Sequence, residues 1–330
     1  MTLLVVLIAI ALVFDFLNGL HDAANSVATI VSTRVLSPRQ AIAWAAFFNF
    51  IAFLVFGLHV AAFIGTGIVA PAVITDQVIF AALMGAIAWS LVTWLAAIPS
   101  SSSHALIGGL VGAGVCKGGW QVIQWPGLGK TAAAILLSPA AGFVLALAMI
   151  VLASWSFRRM TPFRADGLFR HIQLLSAGAY SLGHGGNDAQ KTMGIIAALL
   201  LAHGLGGGQF HVPLWVVLAC QAAMALGTLA GGWRIIRTMG ARITSLTPMQ
   251  GVCAETAGAL TLFAVNWMGI PVSTTHTVTG AIVGVGTARR VSAVRWSVAK
   301  DILVAWIVTI PAAGLLSAAF FLLAGACGLR

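Results

Sequence analysis

Acidic side chains are scarce: the 330-residue chain has 7 Asp+Glu against 17 Lys+Arg, and charged residues of both signs make up only 7%. Soluble globular domains carry about a quarter charged residues, so a water-soluble enzyme or binding domain is excluded. Cysteine is sparse too. Cys116, Cys220, Cys253 and Cys327 lie far apart without CxxC or other metal spacing, which excludes a disulfide framework and a cysteine zinc site. They read as small buried apolar residues. The start of the chain lacks a basic stretch before its apolar run and a small-residue cleavage site, so residues 1–20 read as a retained membrane segment. The net charge of +10 does not point to nucleic acid, because the basic residues are dispersed through short loops, as membrane-flanking charges are.

What the chain has in abundance is apolar sequence, 60% of all residues, with a mean hydropathy of +1.02. Apolar runs bounded by Gly, Pro and charge fall near 3–33, 40–62, 76–98, 103–116, 131–155, 172–202, 212–232, 246–268, 275–287 and 298–326. The expected fold is an all-α integral membrane protein with about ten hydrophobic segments. The first and sixth runs are too long and polar for simple spans, and the fourth and ninth are too short, which is how broken or re-entrant helices read. Alternating the loops puts thirteen basic residues on one face, among them Arg34, Arg39, Arg158, Arg234, Arg237, Arg242 and Arg289, and leaves Lys117, Lys130 and Arg330 on the other. The positive-inside rule then places both termini outside. Many tryptophans, such as Trp120, Trp125, Trp155 and Trp233, fall at segment ends, as interfacial belts do.

The halves repeat. Gly19-Leu20-His21-Asp22-Ala23-Ala24-Asn25 aligns with Gly185-Gly186-Asn187-Asp188-Ala189-Gln190-Lys191 at an offset of 166, and Pro99-Ser100-Ser101-Ser102-Ser103-His104 aligns with Pro271-Val272-Ser273-Thr274-Thr275-His276 at an offset of 172. Each half has an odd number of crossings, so the second inserts upside down, giving two inverted-topology repeats with broken helices at the midplane. The expected organisation is a first repeat at 1–155, a basic cytoplasmic linker at 156–171 and a second repeat at 172–330. The four motifs become candidates for one site.

Asp15, Asp22, Asp188, Lys191 and Glu255 are the ionisable residues well inside apolar sequence. Each costs about 2.5–3.5 kcal/mol to insert, so a partner or a function is expected. The structural alternative is an ion pair, chiefly Asp188 or Glu255 with Lys191. Asp15, two turns before Asp22 and without a charged counterpart in the other half, divides between structural and functional readings. After each proline the hydroxyl run opens a helix, so Ser101–Ser103 and Ser273–Thr275 would offer hydroxyls and unpaired N–H groups at a positive terminus, a cradle for an anion. His104 and His276 read as packing histidines bonded to carbonyls, and no histidine has a spacing that names a metal site. Acids beside an anion cradle require accompanying cations or protons. Ionised acids accept from the P–OH groups of a protonated phosphate, which suits phosphate better than chloride or a carboxylate.

At Asn18 to Thr29 and at Gly183 to Lys191, the chain resembles the inorganic phosphate transporter (PiT) family, which carries an Asn-Asp motif and a P-x-S-[ST]-[ST]-H motif in each half. The resemblance covers essentially the whole chain. It implies that Asp22, Asn25, Ser101, Ser102, Ser103, Asn187, Asp188, Ser273, Thr274 and Thr275 line a phosphate site, and that Glu255 matches a family acid associated with transport. His21 and Lys191 replace the usual asparagines and resemble the bacterial Pit-like, low-affinity branch. That implies proton-driven symport in the bacterial cytoplasmic membrane, with a divalent metal accompanying phosphate as a neutral complex. Lys191 is expected to fill the place of a sodium ion, leaving Asp22, Asp188 or Glu255 to carry the proton. No cofactor is expected; a homodimer is a candidate assembly. The alternatives are sodium coupling, another tetrahedral oxyanion, a passive channel or receptor, and an intramembrane hydrolase using His21, Asp22 and Ser102.

Overall fold

The computed structural model describes residues 1–205, 208–231, 235–236 and 243–329. Trp233, Arg234, Arg237, Arg242, Arg330 and the end of the seventh apolar run at 232 lie outside the described residues. The described residues form helices α1 (Thr2–Ser32), α2 (Pro38–Ile51), α3 (His59–Thr66), α4 (Asp76–Leu95), α5 (Ser102–Gly118) and α6 (Trp125–Ser156) in the first half. The second half has α7 (Pro162–Ala202), α8 (Leu214–Ala230), α9 (Pro248–Trp267), α10 (Thr274–Arg289) and α11 (Trp296–Ala326). Among the described residues there is no sheet, only an isolated bridge between Val69 and Ile123.

Two expectations shift. The run at 40–62 is broken: α2 with its 3-10 extension, and α3, meet at 82°, where Val55–Leu58, with Gly57 in the bend, interrupts the helical ladder. The basic stretch 156–171 is mostly helical, because Pro162 sits in the first turn of α7 after Thr161, where a missing N–H costs nothing. Only residues 157–161 lie between α6 and α7.

The inversion is visible in α1 and α7, which run antiparallel side by side. Ascending α1, Ser26 meets His184, Thr33 meets Gln173, and the Arg34 carbonyl accepts from Arg170. Each half also contains a re-entrant hairpin. In the first, the end of α5 returns beside the loop before α4, with Gly114 against Val69 and Gly118 near Val73. In the second, Gln250 near the start of α9 donates to the Val285 carbonyl near the end of α10 (3.2 Å). The hairpins enter from opposite ends of the molecule and their tips meet. Ser103 Oγ donates to the Val272 carbonyl (2.8 Å) and Thr275 Oγ1 to the Ser100 carbonyl (3.2 Å).

Each hairpin leans on a helix of the other half. Gly108 and Gly112 of α5 face the backbone of Ile310 and Gly314 in α11, and Gly280 and Gly284 of α10 face that of Pro139 and Phe143 in α6. Small residues four apart allow such close backbone approach in membranes. Pro139 and Pro311, 172 residues apart, lie inside α6 and α11 at equivalent places. Two apolar cores result. One packs Leu4, Leu7, Ile68, Val122 and Leu199 at the end nearest Met1, the other packs Ile30, Ile42, Ile150, Ile243 and Val294 at the end carrying the basic loops. The polar motifs fill the layer between them.

Candidate functional site

The site is built from the starts of α5 and α10, which face each other from opposite halves. Both helices begin alike: Ser101 and Ser273 are N-caps whose hydroxyls accept from the backbone N–H of His104 and His276, each at 3.2 Å. These two hydroxyls therefore serve their own helices. The next two side chains in each run, Ser102 and Ser103, Thr274 and Thr275, point to the acids and to the opposite tip.

Asp22 and Asp188, brought in by α1 and α7, face one another across this junction. Ser102 Oγ donates to Asp22 Oδ2 (3.0 Å), Thr274 Oγ1 donates to Asp188 Oδ2 (3.1 Å), and Thr275 Oγ1 stands 3.5 Å from Asp22 Oδ1. Asn25, one turn beyond Asp22, donates to Thr274 Oγ1 (3.3 Å) and Thr275 Oγ1 (2.9 Å). Its repeat counterpart at the offset of 166 is Lys191, whose ammonium donates to Asp188 Oδ1 (2.5 Å), to Ser103 Oγ and to the Val272 carbonyl (3.3 Å). The Asp188–Lys191 ion pair weighed from sequence is thus formed, at i,i+3 on one helix. None of these residues is more than 4% exposed, so the site is closed to both surfaces. In such surroundings charges persist only when paired or coordinated.

The other candidates lie around this centre. Asn187 does not face the acids; its amide donates to Asn266 Oδ1 (2.6 Å) and its oxygen accepts from Val272 N (3.4 Å), bracing the second tip. Glu255 has no lysine partner and accepts instead from Thr29 (2.6 Å), Gln173 (2.9 Å) and Ser176 (2.5 Å). Since Thr29 is two turns past Asp22 on α1, Glu255 is about 10 Å away, towards the basic end. His104 and His276 pack edge to face on each other, ring centroids 4.4 Å apart, and His276 also stacks on Trp306 at 3.6 Å. Their ring nitrogens make no hydrogen bond of good geometry, but His104 stands against the backbone of Trp306 and His276 against that of Ile135, so the carbonyl contacts expected from sequence are present in a long or poorly aligned form.

Sequence reasoning missed His184. Its Nε2 is 3.3 Å from Asp188 Oδ2, and its Nδ1 is 3.2 Å from both Ser26 Oγ and Asn49 Oδ1. Asp22, His184 and Asp188 each offer one ligand atom, all within 4.8 Å of one another. Two carboxylates and an imidazole are a donor set that suits divalent cations. The available signal was the i,i+4 spacing of His184 and Asp188; the third member comes from the other half and is invisible to local spacing. His21 and Tyr180 complete the wall, His21 at 3.0 Å from Asp22 Oδ1 and 3.3 Å from Thr93 Oγ1, Tyr180 donating to the Thr274 carbonyl (3.0 Å).

Two interlocked inverted repeats that bury an ionisable, hydroxyl-lined centre between re-entrant tips define an integral membrane transporter. Comparison with known proteins narrows this. The phosphate transporter family model matches twice, at residues 18–166 and 158–317, one match for each repeat. A "Probable low-affinity inorganic phosphate transporter" of Rhizobium meliloti is 69% identical over 316 residues, covering 96% of this chain and 95% of that one. A protein of the same description from Bacillus subtilis is 42% identical over 98% of this chain and 97% of its own. Among solved structures, one titled "The sodium-dependent phosphate transporter" superposes with a TM-score of 0.91 at 25% identity, covering 99% of this chain and all of that one. The chain belongs to the phosphate transporter family. It is a transporter and not an enzyme, which sets aside the hydrolase built on His21, Asp22 and Ser102.

Proposed function

We propose that the protein carries inorganic phosphate across the bacterial cytoplasmic membrane together with a proton, by alternating access of its two repeats around the Asp22–Asp188 centre. The observation that carries this reading is the meeting of two repeat-related acids with two hydroxyl-bearing helix starts in one sealed, midplane layer. The unpaired N–H groups of both helix starts converge on that layer and favour an anion.

The hydrogen bonds of the closed site supply a mechanism for exchange. Ser102 and Thr274 donate to Asp22 and Asp188. An entering hydrogen phosphate brings a P–OH that donates to one acid and oxygens that accept from the displaced hydroxyls, from the helix-start N–H groups and from Lys191. Sulfate, which carries no proton at neutral pH, lacks the first contact. Charge decides the rest. Two carboxylates and one ammonium leave the centre negative, so a phosphate dianion enters only with protons, or as a neutral complex whose divalent metal meets Asp22, His184 and Asp188. The metal is then part of the cargo.

The structural relative is titled sodium-dependent, and sodium coupling is the second reading. Lys191 weighs against it, because its ammonium already occupies a cation position against Asp188 and the Val272 carbonyl. Radiolabelled phosphate uptake into proteoliposomes under separately imposed gradients tests both. Uptake that follows the pH gradient supports the proposal; uptake that follows sodium and ignores pH overturns the proton assignment. Asp22→Asn and Asp188→Asn are each expected to abolish uptake while the protein still inserts, and near-normal transport in both would refute their role.

A further inference from the structure

The repeat symmetry makes two pockets, one flanking each side of the central acids, and they are filled differently. On the α7 side the pocket holds His184, tied to Ser26, Asn49 and Asp188. At the offset of 166 the counterpart of His184 is Asn18 and that of Ser26 is Thr192. These lie in the mirror pocket between α1, α7 and α8, together with Asp15, which stands beside Asn18, Thr192 and the Cys220 thiol. All four are buried, Asp15 fully so. Yet both carboxylate oxygens of Asp15, both amide atoms of Asn18 and the hydroxyl of Thr192 have no hydrogen bond of good geometry. The first is held by its own histidine, whose Nδ1 is hydrogen-bonded while its Nε2 stands at ion-pair distance from Asp188 without a hydrogen bond of good geometry. In the other, a small amide stands where the imidazole would, and an acid is added.

We propose that the Asp15 pocket is a proton-binding site of the transport cycle, on the Met1 side of the phosphate site, and that Asp15 takes up the coupling proton there before the central acids receive it. A proton is the ligand that this pocket satisfies best. Binding it turns an isolated carboxylate into a neutral carboxyl whose O–H donates to Asn18 Oδ1 or Thr192 Oγ1, while Asn18 Nδ2 donates to the remaining oxygen. Left ionised and unpaired, the same group pays a large desolvation cost. A metal ion would need a fuller oxygen shell than these three side chains provide.

The surroundings give the site a route. Asp15, Asn18 and Asp22 are spaced i, i+3 and i+7, on one face of α1, so the pocket is about 10 Å from the central acid. Thr192 adjoins Lys191 on α7. The ionisable groups facing Asp15 are Asp188 and Lys191 from α7 and the Cys220 thiol from α8. On α4, which also packs against α1, the acid is Asp76, far off at the helix start and paired with His203 at 2.8 Å. Glu255, at Thr29, stands an equal number of residues beyond Asp22 on the opposite side. The acids on α1 and its contacts thus form a file through the molecule.

This inference rests on the proposed phosphate transport, and the test separates the two. Purified wild type, Asp15→Asn and Asp15→Glu are reconstituted into liposomes. Two rates are read: exchange of radiolabelled for unlabelled phosphate at equal pH on both sides, and accumulation driven by an imposed pH gradient. The expected result is that Asp15→Asn keeps exchange and loses gradient-driven accumulation, and that Asp15→Glu recovers accumulation. Infrared difference spectra should show a protonated-carboxyl C=O stretch that shifts in Asp15→Glu and vanishes in Asp15→Asn. Accumulation that survives in Asp15→Asn, accumulation and exchange failing together in both variants, or the absence of the carboxyl band each overturns the inference. A wild type that exchanges no phosphate at all sinks the transport reading instead, and the infrared band still reports on Asp15.

Discussion

At the scale of single residues, the symmetry of the site is broken most sharply where Asn25 faces its counterpart Lys191. Asn25 braces two threonines, whereas Lys191 neutralises Asp188 and ties the two hairpin tips through Ser103 and Val272. Truncating one member of a buried pair leaves the other charge uncompensated, at a cost of about 3–5 kcal/mol. Lys191→Met should therefore lower the thermal unfolding temperature strongly, whereas Lys191→Asn, which restores an amide at both equivalent places, is expected to let an imposed sodium gradient drive uptake. Proteoliposome uptake with and without sodium checks this; a Lys191→Asn protein that stays indifferent to sodium removes the argument that the ammonium stands in for the ion. Asp22, Asp188 and the hydroxyl runs were legible in the sequence because each is repeated. The partners of Asp15 on other helices, Thr192 and Cys220, and the meeting of His184 with Ser26 were not, since these contacts join α1 to α7 and α8 across more than 150 residues.

At the scale of helices, hydropathy located the segments well, because burying a backbone in lipid admits little besides helix. It could not show that the tips of two short hairpins meet, nor that glycine spacing fixes their distance from the supporting helices. A Cβ at Gly280 would sit 2.2 Å from the Pro139 carbonyl, and one at Gly112 would sit 2.2 Å from that of Gly314. Both oxygens belong to backbone and cannot turn aside. Gly280→Leu is thus expected to lift α10 from α6, lowering both thermal stability and uptake, whereas Gly129→Ala in α6, with nothing within 4 Å, should leave both near wild type. The caps make a smaller, separate prediction. Ser273→Ala removes the acceptor of the His276 N–H and should cost about 1 kcal/mol, read as a modest drop in unfolding temperature. A Ser273→Ala protein with unchanged stability would mean that the cap hydroxyl is replaceable.

For the molecule as a whole, the two apolar cores and the basic loops give it distinct ends. Arg34 and Arg170 meet at one, and Arg295 N donates to the Ile243 carbonyl there as well. The exposed Cys116 and Cys327 lie at the other end, with Met1, while Cys220 and Cys253 are buried. With the basic end in the cytoplasm, a membrane-impermeant maleimide added outside intact cells should label the two exposed cysteines and spare the buried pair. Labelling only after the cytoplasmic side is opened would reverse the orientation. The loops carry a signal of sidedness because lysine and arginine resist translocation, whereas the interlocking of each hairpin with the opposite repeat leaves no local trace in sequence.

The head-to-head meeting of α5 and α10 has a last implication for direction. A ligand approaching from either compartment encounters a capped helix start with its pair of hydroxyls and an acid behind it, although Lys191 accompanies one acid and Asn25 the other. Under the proposed coupled transport, net flux reverses whenever the combined driving forces reverse, so a cell relying on it would lose phosphate through the same door once the surroundings are depleted and the membrane is de-energised.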